Sequence, residues 1–240
     1  MKKVISALAL TGALAVAPAF ATPISGTSVQ TELTAAGAAI NVATDQYGVD
    51  EKWTLGSTGI ASALIMFEFA GYADQNTFGI YDVSDPTKKL TLFNGPDSAG
   101  AQRILSLSSG NEFCSGTFAS HSCQTFSSDV FGFYLSTPQS KTYYSESGKN
   151  VDGVDHMVAF QGGDGRGTLN GRPWLANEFV LTWEDLYGGG DRDYNDFAVV
   201  VESISSVPEP TGLALFGAGL LILGIGTRGR KTTIQVASAC

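Results

Sequence analysis

The sequence predicts an all-β fold, a single β-sandwich or jelly-roll-like domain, and three observations carry that expectation. Short runs rich in aliphatic and aromatic residues recur between clusters of Gly, Asp, Asn and Pro. No stretch within the domain sustains a helical period over three turns, and no repeat returns at a fixed period, which argues against a propeller or solenoid. The length of 240 residues leaves room for one sizeable domain once the end segments are set aside.

Met1, Lys2 and Lys3 begin a short basic region, followed by an apolar run from Val4 to Val16 and then Pro18-Ala-Phe-Ala21. A charged start, an apolar run of this size and small residues at Ala19 and Ala21 predict a secretory signal peptide over residues 1–21. The mature chain is then expected to start near Thr22. The run is short for a retained membrane helix.

Residues 22–59 are rich in Thr, Ala and Gly and read as an N-terminal arm with an early strand. From Ile60 the pattern is β. Runs at Ala63–Phe69, Thr77–Tyr81, Lys89–Phe93, Gln102–Leu107, Val130–Leu135, Lys141–Tyr144 and His156–Phe160 are each short and apolar or aromatic. Gly71–Asn76, Ser84-Asp-Pro86 and Asn94-Gly-Pro-Asp97 separate the early ones as turns. The domain so defined spans residues 22–206.

Cys114 and Cys123 lie nine apart in Ser- and Gly-rich sequence. In an exported chain a disulfide is the first reading, with two buried free thiols the alternative. Zinc is poorly supported, since His121 lies between them but no fourth ligand is evident. Gly162-Gly-Asp-Gly-Arg-Gly167 lacks the strand–loop–helix context and the Lys-Ser/Thr of a phosphate loop, and reads as a surface loop.

Between the strand-like runs Phe179–Trp183 and Phe197–Val201 lies the densest chemistry of the chain. Glu184, Asp185, Asp191, Asp193, Asn195 and Asp196 surround Gly188, Gly189 and Gly190. Such carboxylates repel one another unless a hard cation gathers them, and Ca²⁺ takes six to eight oxygen ligands. The glycines permit positive φ and let backbone carbonyls turn inward. Asp191, Asp193 and Asn195 alternate as ligands would, and Asp196 or Asp185 would complete the shell. Strand alternation sends Glu184 and Asp185 to opposite faces, which makes Glu184 the weaker candidate. An EF-hand is disfavoured. Asp196 stands where that loop needs Gly, and Glu202, at the twelfth place, follows a β-branched run that would carry it ~20 Å away. An ordinary polar hairpin turn is the plain alternative.

Glu184-Asp-Leu with Gly188-Gly-Gly-Asp-Arg-Asp-Tyr-Asn-Asp196 resembles the C-terminal signature of the DUF4114 domain of bacterial exported proteins. Phe67–Asp82 and His156–Phe160 resemble its upstream part. The resemblance implies a β-rich extracellular module with a Ca²⁺ site, and it brings no established activity. Asp74 and Asn76, between two strands of the family-like region, are further candidate ligands.

Val207-Pro-Glu-Pro210 precedes an apolar run from Thr211 to Gly226 and then Arg228-Gly-Arg-Lys231. Pro208, Glu209 and Pro210, a hydrophobic segment, and Arg228, Arg230 and Lys231 together resemble the PEP-CTERM sorting signal. That resemblance, over residues 207–231, implies a transmembrane sorting helix, recognition by the membrane enzyme exosortase and removal of the tail. The basic cluster is expected on the cytoplasmic side. One departure is the tail of residues 232–240, which continues past the basic cluster where such signals usually end. The expected path is export, anchoring in the inner membrane, then release to the cell surface or extracellular matrix of a Gram-negative-type bacterium.

Formal net charge is −9, but residues 22–210 carry all 23 acids and nine of the 14 bases, a net of −14. A surface this acidic repels nucleic acid and anionic lipid and suits divalent cations. The leading expectation is therefore a non-enzymatic, Ca²⁺-stabilised surface or matrix module whose partners are exosortase, the export machinery and extracellular polysaccharide. The alternative is a Ca²⁺-dependent carbohydrate-binding jelly roll with Tyr187 or Trp174 as a stacking platform. A polysaccharide hydrolase is the remaining class. Carboxylates are plentiful, but spacing alone does not set two of them across a cleft.

Overall fold

The structure, a computed structural model, describes residues 22–25, 28–68, 72, 74–117 and 120–208. The expected signal peptide and the sorting tail from Glu209 onward, including Pro210, Arg228, Arg230 and Lys231, lie outside the described residues. Among the described residues no helix is long and apolar enough to cross a membrane.

A two-turn helix, α1 (Ser28–Ala35), opens the domain. It is followed by β1 (Trp53–Leu55), β2 (Ile60–Phe67), β3 (Thr77–Asp82), β4 (Asp85–Phe93), β5 (Gln102–Ser108), β6 (Glu112–Gly116), β7 (His121–Thr125) and β8 (Phe131–Ser136). Then come β9 (Thr142–Tyr144), β10 (Met157–Gln161), β11 (Thr168–Leu169), β12 (Arg172–Pro173), β13 (Glu178–Trp183), β14 (Phe197–Glu202) and β15 (Ile204–Ser206). Two antiparallel sheets pack as a sandwich. One runs β15-β1-β8-β3-β4 with β9 also on β8, the other β10-β13-β14-β2-β5-β6-β7. The arm that the sequence left almost featureless contains α1, whose Val29 and Leu33 are buried.

Aromatic side chains fill the space between the sheets. Phe78 stacks on Phe133 at 5.6 Å and meets Phe197 at 5.2 Å, while Trp53 meets Phe179 edge-on at 4.8 Å. Alternation along β13 sends Phe179, Leu181 and Trp183 into this core. Val180 instead joins a second core on the outer face of the larger sheet, formed with Val29, Leu33, Phe160, Trp174 and Tyr194. Every residue of β13 is buried, because α1 and the 169–174 segment cover the face that a two-sheet sandwich would leave wet.

One irregularity matters for the site. The pairing of β14 with β2 goes from Ala198↔Phe67 to Val199↔Ile65, so Met66 is an extra residue on β2. A bulge of this kind reverses facing beyond it. Ile65 lies in the inter-sheet core, whereas Phe67 packs in the outer one.

Cys114 and Cys123 are direct cross-strand partners on the β6–β7 hairpin and form a disulfide. Exposed or half-buried residues make up all of β7, an edge strand, so the bridge substitutes for the apolar contacts this strand lacks. Disulfide formation also removes both thiolates that a zinc site would use. Closing so short a loop limits the unfolded chain and is worth roughly 2–3 kcal/mol. Cys114→Ser with Cys123→Ser should lower stability by about that amount in denaturant melts. An unchanged midpoint would show that the hairpin holds without the bridge.

Candidate functional site

The acidic loop, residues 184–196, joins β13 to β14, whose last and first residues pair as Trp183↔Phe197. These strands lie inside the larger sheet, flanked by β10 and β2, so both ends of the loop are anchored. Further ties come from His156, the residue before β10. His156, fully buried, stacks on Tyr143 with ring centroids 3.7 Å apart. Its Nδ1 lies 2.8 Å from the Glu184 carbonyl and its Nε2 3.0 Å from Asp152 Oδ2. Asp152 Oδ2 also accepts the Gly188 N–H at 2.8 Å. Burial alone would raise the Asp152 pKa, but the Gly188 N–H, His156 and the Val154 N–H together hold it below the usual range.

Within the loop the backbone doubles back repeatedly, with positive φ at Gly188, Gly189, Gly190, Arg192 and Tyr194. The turns at Arg192 and Tyr194 follow aspartates that accept local N–H groups. Asp191 Oδ1 accepts from Asp193 N at 3.4 Å, and Asp193 Oδ1 from Asn195 N at 3.2 Å. Tyr194 points inward, fully buried, and donates to the Asp155 carbonyl at 2.6 Å. Asp193 and Asn195 thus flank a fixed aromatic pivot.

Glu184, Asp191 and Asp193 converge. One carboxylate oxygen from each lies within 4.8 Å of the others. Two oxygens on a single Ca²⁺ at 2.3–2.6 Å are separated by at most about 5 Å, so this spacing fits common coordination. Glu184 is 1% exposed; its Oε2 accepts the Arg192 N–H at 3.1 Å, and its Oε1 is buried with no hydrogen-bond partner. That oxygen faces the Gly190 Cα, where an added Cβ would stand only 2.1 Å from it. Burial pushes the Glu184 carboxyl up to about 9, and the neighbouring Asp196, Asp191 and Asp193 add to the rise. Burial likewise raises Asp193, although the Ser28 hydroxyl donates to its Oδ2 at 2.9 Å. The cluster is short of positive charge, and its donors are all hard oxygens.

Asp185 faces the other way, as strand alternation requires. It is 3% exposed, and its Oδ2 accepts from Asn76 Nδ2 at 2.8 Å. Asp196 stands between the two groups: its Oδ2 accepts the Asp185 N–H at 2.8 Å, and its charge acts on both Glu184 and Asp185.

The sequence-predicted candidates thus divide. Asp191 and Asp193 sit with Glu184, the acid that alternation made the weaker candidate. Asp185 does face away from Glu184, but the loop folds its later aspartates back to the Glu184 side. Asn195 donates through Nδ2 to Ser28 Oγ and to Asp193 Oδ2, both at 2.6 Å. Asn76 reaches Asp185, whereas Asp74 is exposed on the preceding turn. Glu202 pairs with Glu178 at the opposite end of the hairpin. Of the two aromatic platform candidates, Tyr187 is 62% exposed but Trp174 is 2% exposed, a member of the outer core, so Trp174 is not a platform. Ser28, Asp152 and His156 were missed as parts of the site. Ser28 contacts Asp193 across 165 positions, and no local pattern announces such a contact.

Comparison with known proteins adds one finding. A family model described as a domain of unknown function, DUF4114, matches residues 124–203, a third of the chain. A DUF4114 domain is therefore found there, from β7 to the end of β14, with the acidic loop inside it. Phe67–Asp82, which resembled the family's upstream part, falls outside the match, although Asn76 of that segment touches Asp185 of the matched region. No curated protein and no solved structure matches the chain.

Proposed function

We propose, with the DUF4114 domain at residues 124–203 as the premise, that this chain is an exported, Ca²⁺-stabilised module of the cell surface or extracellular matrix. One observation carries the cation part: the buried, unpartnered Glu184 Oε1 within reach of the Asp191 and Asp193 carboxylates. Glu184, Asp191 and Asp193 would hold the ion, with Asn195, Asp196 and a Gly-loop carbonyl completing the shell. The ion's role is structural, tying the β13–β14 loop to itself and, through Ser28, to α1. Ca²⁺ is favoured over Mg²⁺ because a glycine-rich loop offers many ligands without enforcing a tight octahedron. Equilibrium dialysis of the full chain in millimolar Ca²⁺ tests this, and absence of bound ion would return the loop to an acidic turn.

Export and sorting rest on the two end segments. Pro208, the described residue of the sorting motif, is exposed directly after β15, where Val207 N–H makes a last bond to the Lys52 carbonyl at 2.8 Å. A Pro-Glu-Pro segment leaving the sheet there would be accessible to a membrane enzyme. At the other end Thr22, the expected first mature residue, donates through its hydroxyl to Asp155 at 2.6 Å. An α-ammonium created by cleavage would add positive charge beside that carboxylate. Protein released by its native host should therefore lack Leu213–Cys240, and a host without exosortase should retain that tail in the inner membrane. Intact-mass measurement finding Cys240 on the released protein would refute the sorting assignment.

A carbohydrate-binding reading has one observation in its favour. Exposed Tyr187 projects from the acidic loop with the Lys141 ammonium 5.7 Å from its ring centroid, an arrangement able to stack a sugar.

A further inference from the structure

A second group of oxygens lies on the sandwich side of the β13 end, separate from the Glu184 cluster. Asn76 is 3% exposed, and while its Nδ2 donates to Asp185, its Oδ1 is buried with no hydrogen-bond partner. An orphaned buried carbonyl is costly unless a hydrogen-bond donor or a cation reaches it. Around it the groups are carboxylates. Asp185 is buried beside Asn76, and Asp196 reaches the Asp185 backbone. Glu68, half-buried, directly follows Phe67, the last residue of β2. Burial, opposed by the Asp74 N–H and reinforced by the charges of Asp74 and Asp185, brings Glu68 up to about 7.

We infer that Asn76 Oδ1, Asp185 and Glu68 form a second divalent-cation site, joined to the Glu184–Asp191–Asp193 site by Asp196. Hard oxygens again make up the whole donor set, which selects Ca²⁺ or a similar ion over softer metals. The alternation that separates Glu184 from Asp185 places one of them in each site, so the end of one strand serves two ions on its two faces. The second ion would lock the Asn76 turn, outside the DUF4114 match, onto the matched region.

This inference rests on the cation reading of the loop, and binding stoichiometry separates the two. Equilibrium dialysis of the full chain against Ca²⁺ should give two ions for wild type, one for Glu184→Gln and one for Asn76→Ala. Asn76→Asp guards against a variant that merely misfolds. Replacing the orphan carbonyl by a carboxylate should keep two ions and tighten one of them on the order of tenfold, since affinity follows ligand charge. One ion in wild type, lost in Glu184→Gln and kept in Asn76→Ala, would overturn the second site and leave the first. No tightening in a folded Asn76→Asp would also overturn it, and no ion in wild type would overturn both.

Discussion

Millimolar Ca²⁺ should raise the melting temperature of the full chain, and Asp193→Ala should remove most of the rise. An ion that binds only the folded state stabilises by RT ln(1 + [L]/Kd), about 2.7 kcal/mol at a hundredfold excess over Kd. For a domain of this size that is a shift of roughly 5–10 °C. Asp193→Ala removes an oxygen of the converging trio and also the Ser28 hydrogen bond, so its melting point should fall slightly even in chelator. Gly190→Ala separates geometry from charge. It deletes no donor, yet its Cβ would collide with Glu184 Oε1, and Gly190 has φ of +42°. The Ca²⁺ response should shrink in that variant too. The control is Asp164→Ala, in an exposed loop beyond Gln161 at the other end of β10, roughly 13 Å along the strand from Met157. A turn at Asp97 would serve less well, because neighbouring Gly95 packs against the Asp74 carbonyl. A wild-type melting temperature indifferent to Ca²⁺ and chelator would end the structural-ion reading.

Tyr194→Ala should cost about 3–5 kcal/mol, the range for losing a large aromatic side chain from a packed interior. Few residues in a loop of this polarity would be so expensive. Tyr194 is fully buried among Val29, Leu33, Trp174 and Val200 in the outer core, and its hydroxyl is satisfied by the Asp155 carbonyl. Tyr194→Phe keeps the ring and forfeits one hydrogen bond, worth about 1 kcal/mol. It also leaves the Asp155 carbonyl without that donor. Because the ring lies between Asp193 and Asn195 in the chain, Tyr194→Ala should also loosen the loop and weaken Ca²⁺ binding, whereas Tyr194→Phe should largely preserve it. Denaturant melts and Ca²⁺ titrations of both variants check the pair. Equal, small losses in the two would mean that the ring is not the pivot.

Much of the architecture was legible from local pattern. Runs such as Thr77–Tyr81 and Phe179–Trp183 are strands because β-branched and aromatic residues suit a half-buried pleated surface, and Asn94-Gly-Pro-Asp97 is a turn, but Ser84-Asp-Pro86 is not one throughout, since Asp85 and Pro86 begin β4. The acidic loop announced itself as a connection between two core strands, and β13 and β14 pair along their whole length. The close pair of cysteines announced their bridge. Helix α1 escaped because two turns with two buried residues, Val29 and Leu33, are too short for periodicity to register.

Local pattern alone, then, reveals the longer apolar strands and the concentration of acids and glycines in one loop, but not the polar or very short strands β6, β7, β11, β12 and β15. Each feature so revealed depends on neighbours a few positions apart. Which carboxylates meet was decided only in three dimensions. Glu184 and Asp185 are adjacent in sequence and part company because successive strand residues face opposite ways. Asp191 and Asp193 come back to Glu184 because positive φ at Gly190, Arg192 and Tyr194 folds the loop around a buried ring. Asn76 meets Asp185 from 109 positions away, and an extra residue at Met66 turns Phe67, the last residue of β2, to the outer core. A bulge of one residue redirects a side chain without changing the hydrophobic pattern, so the convergence of oxygens is a property of register and packing rather than of any stretch of chain.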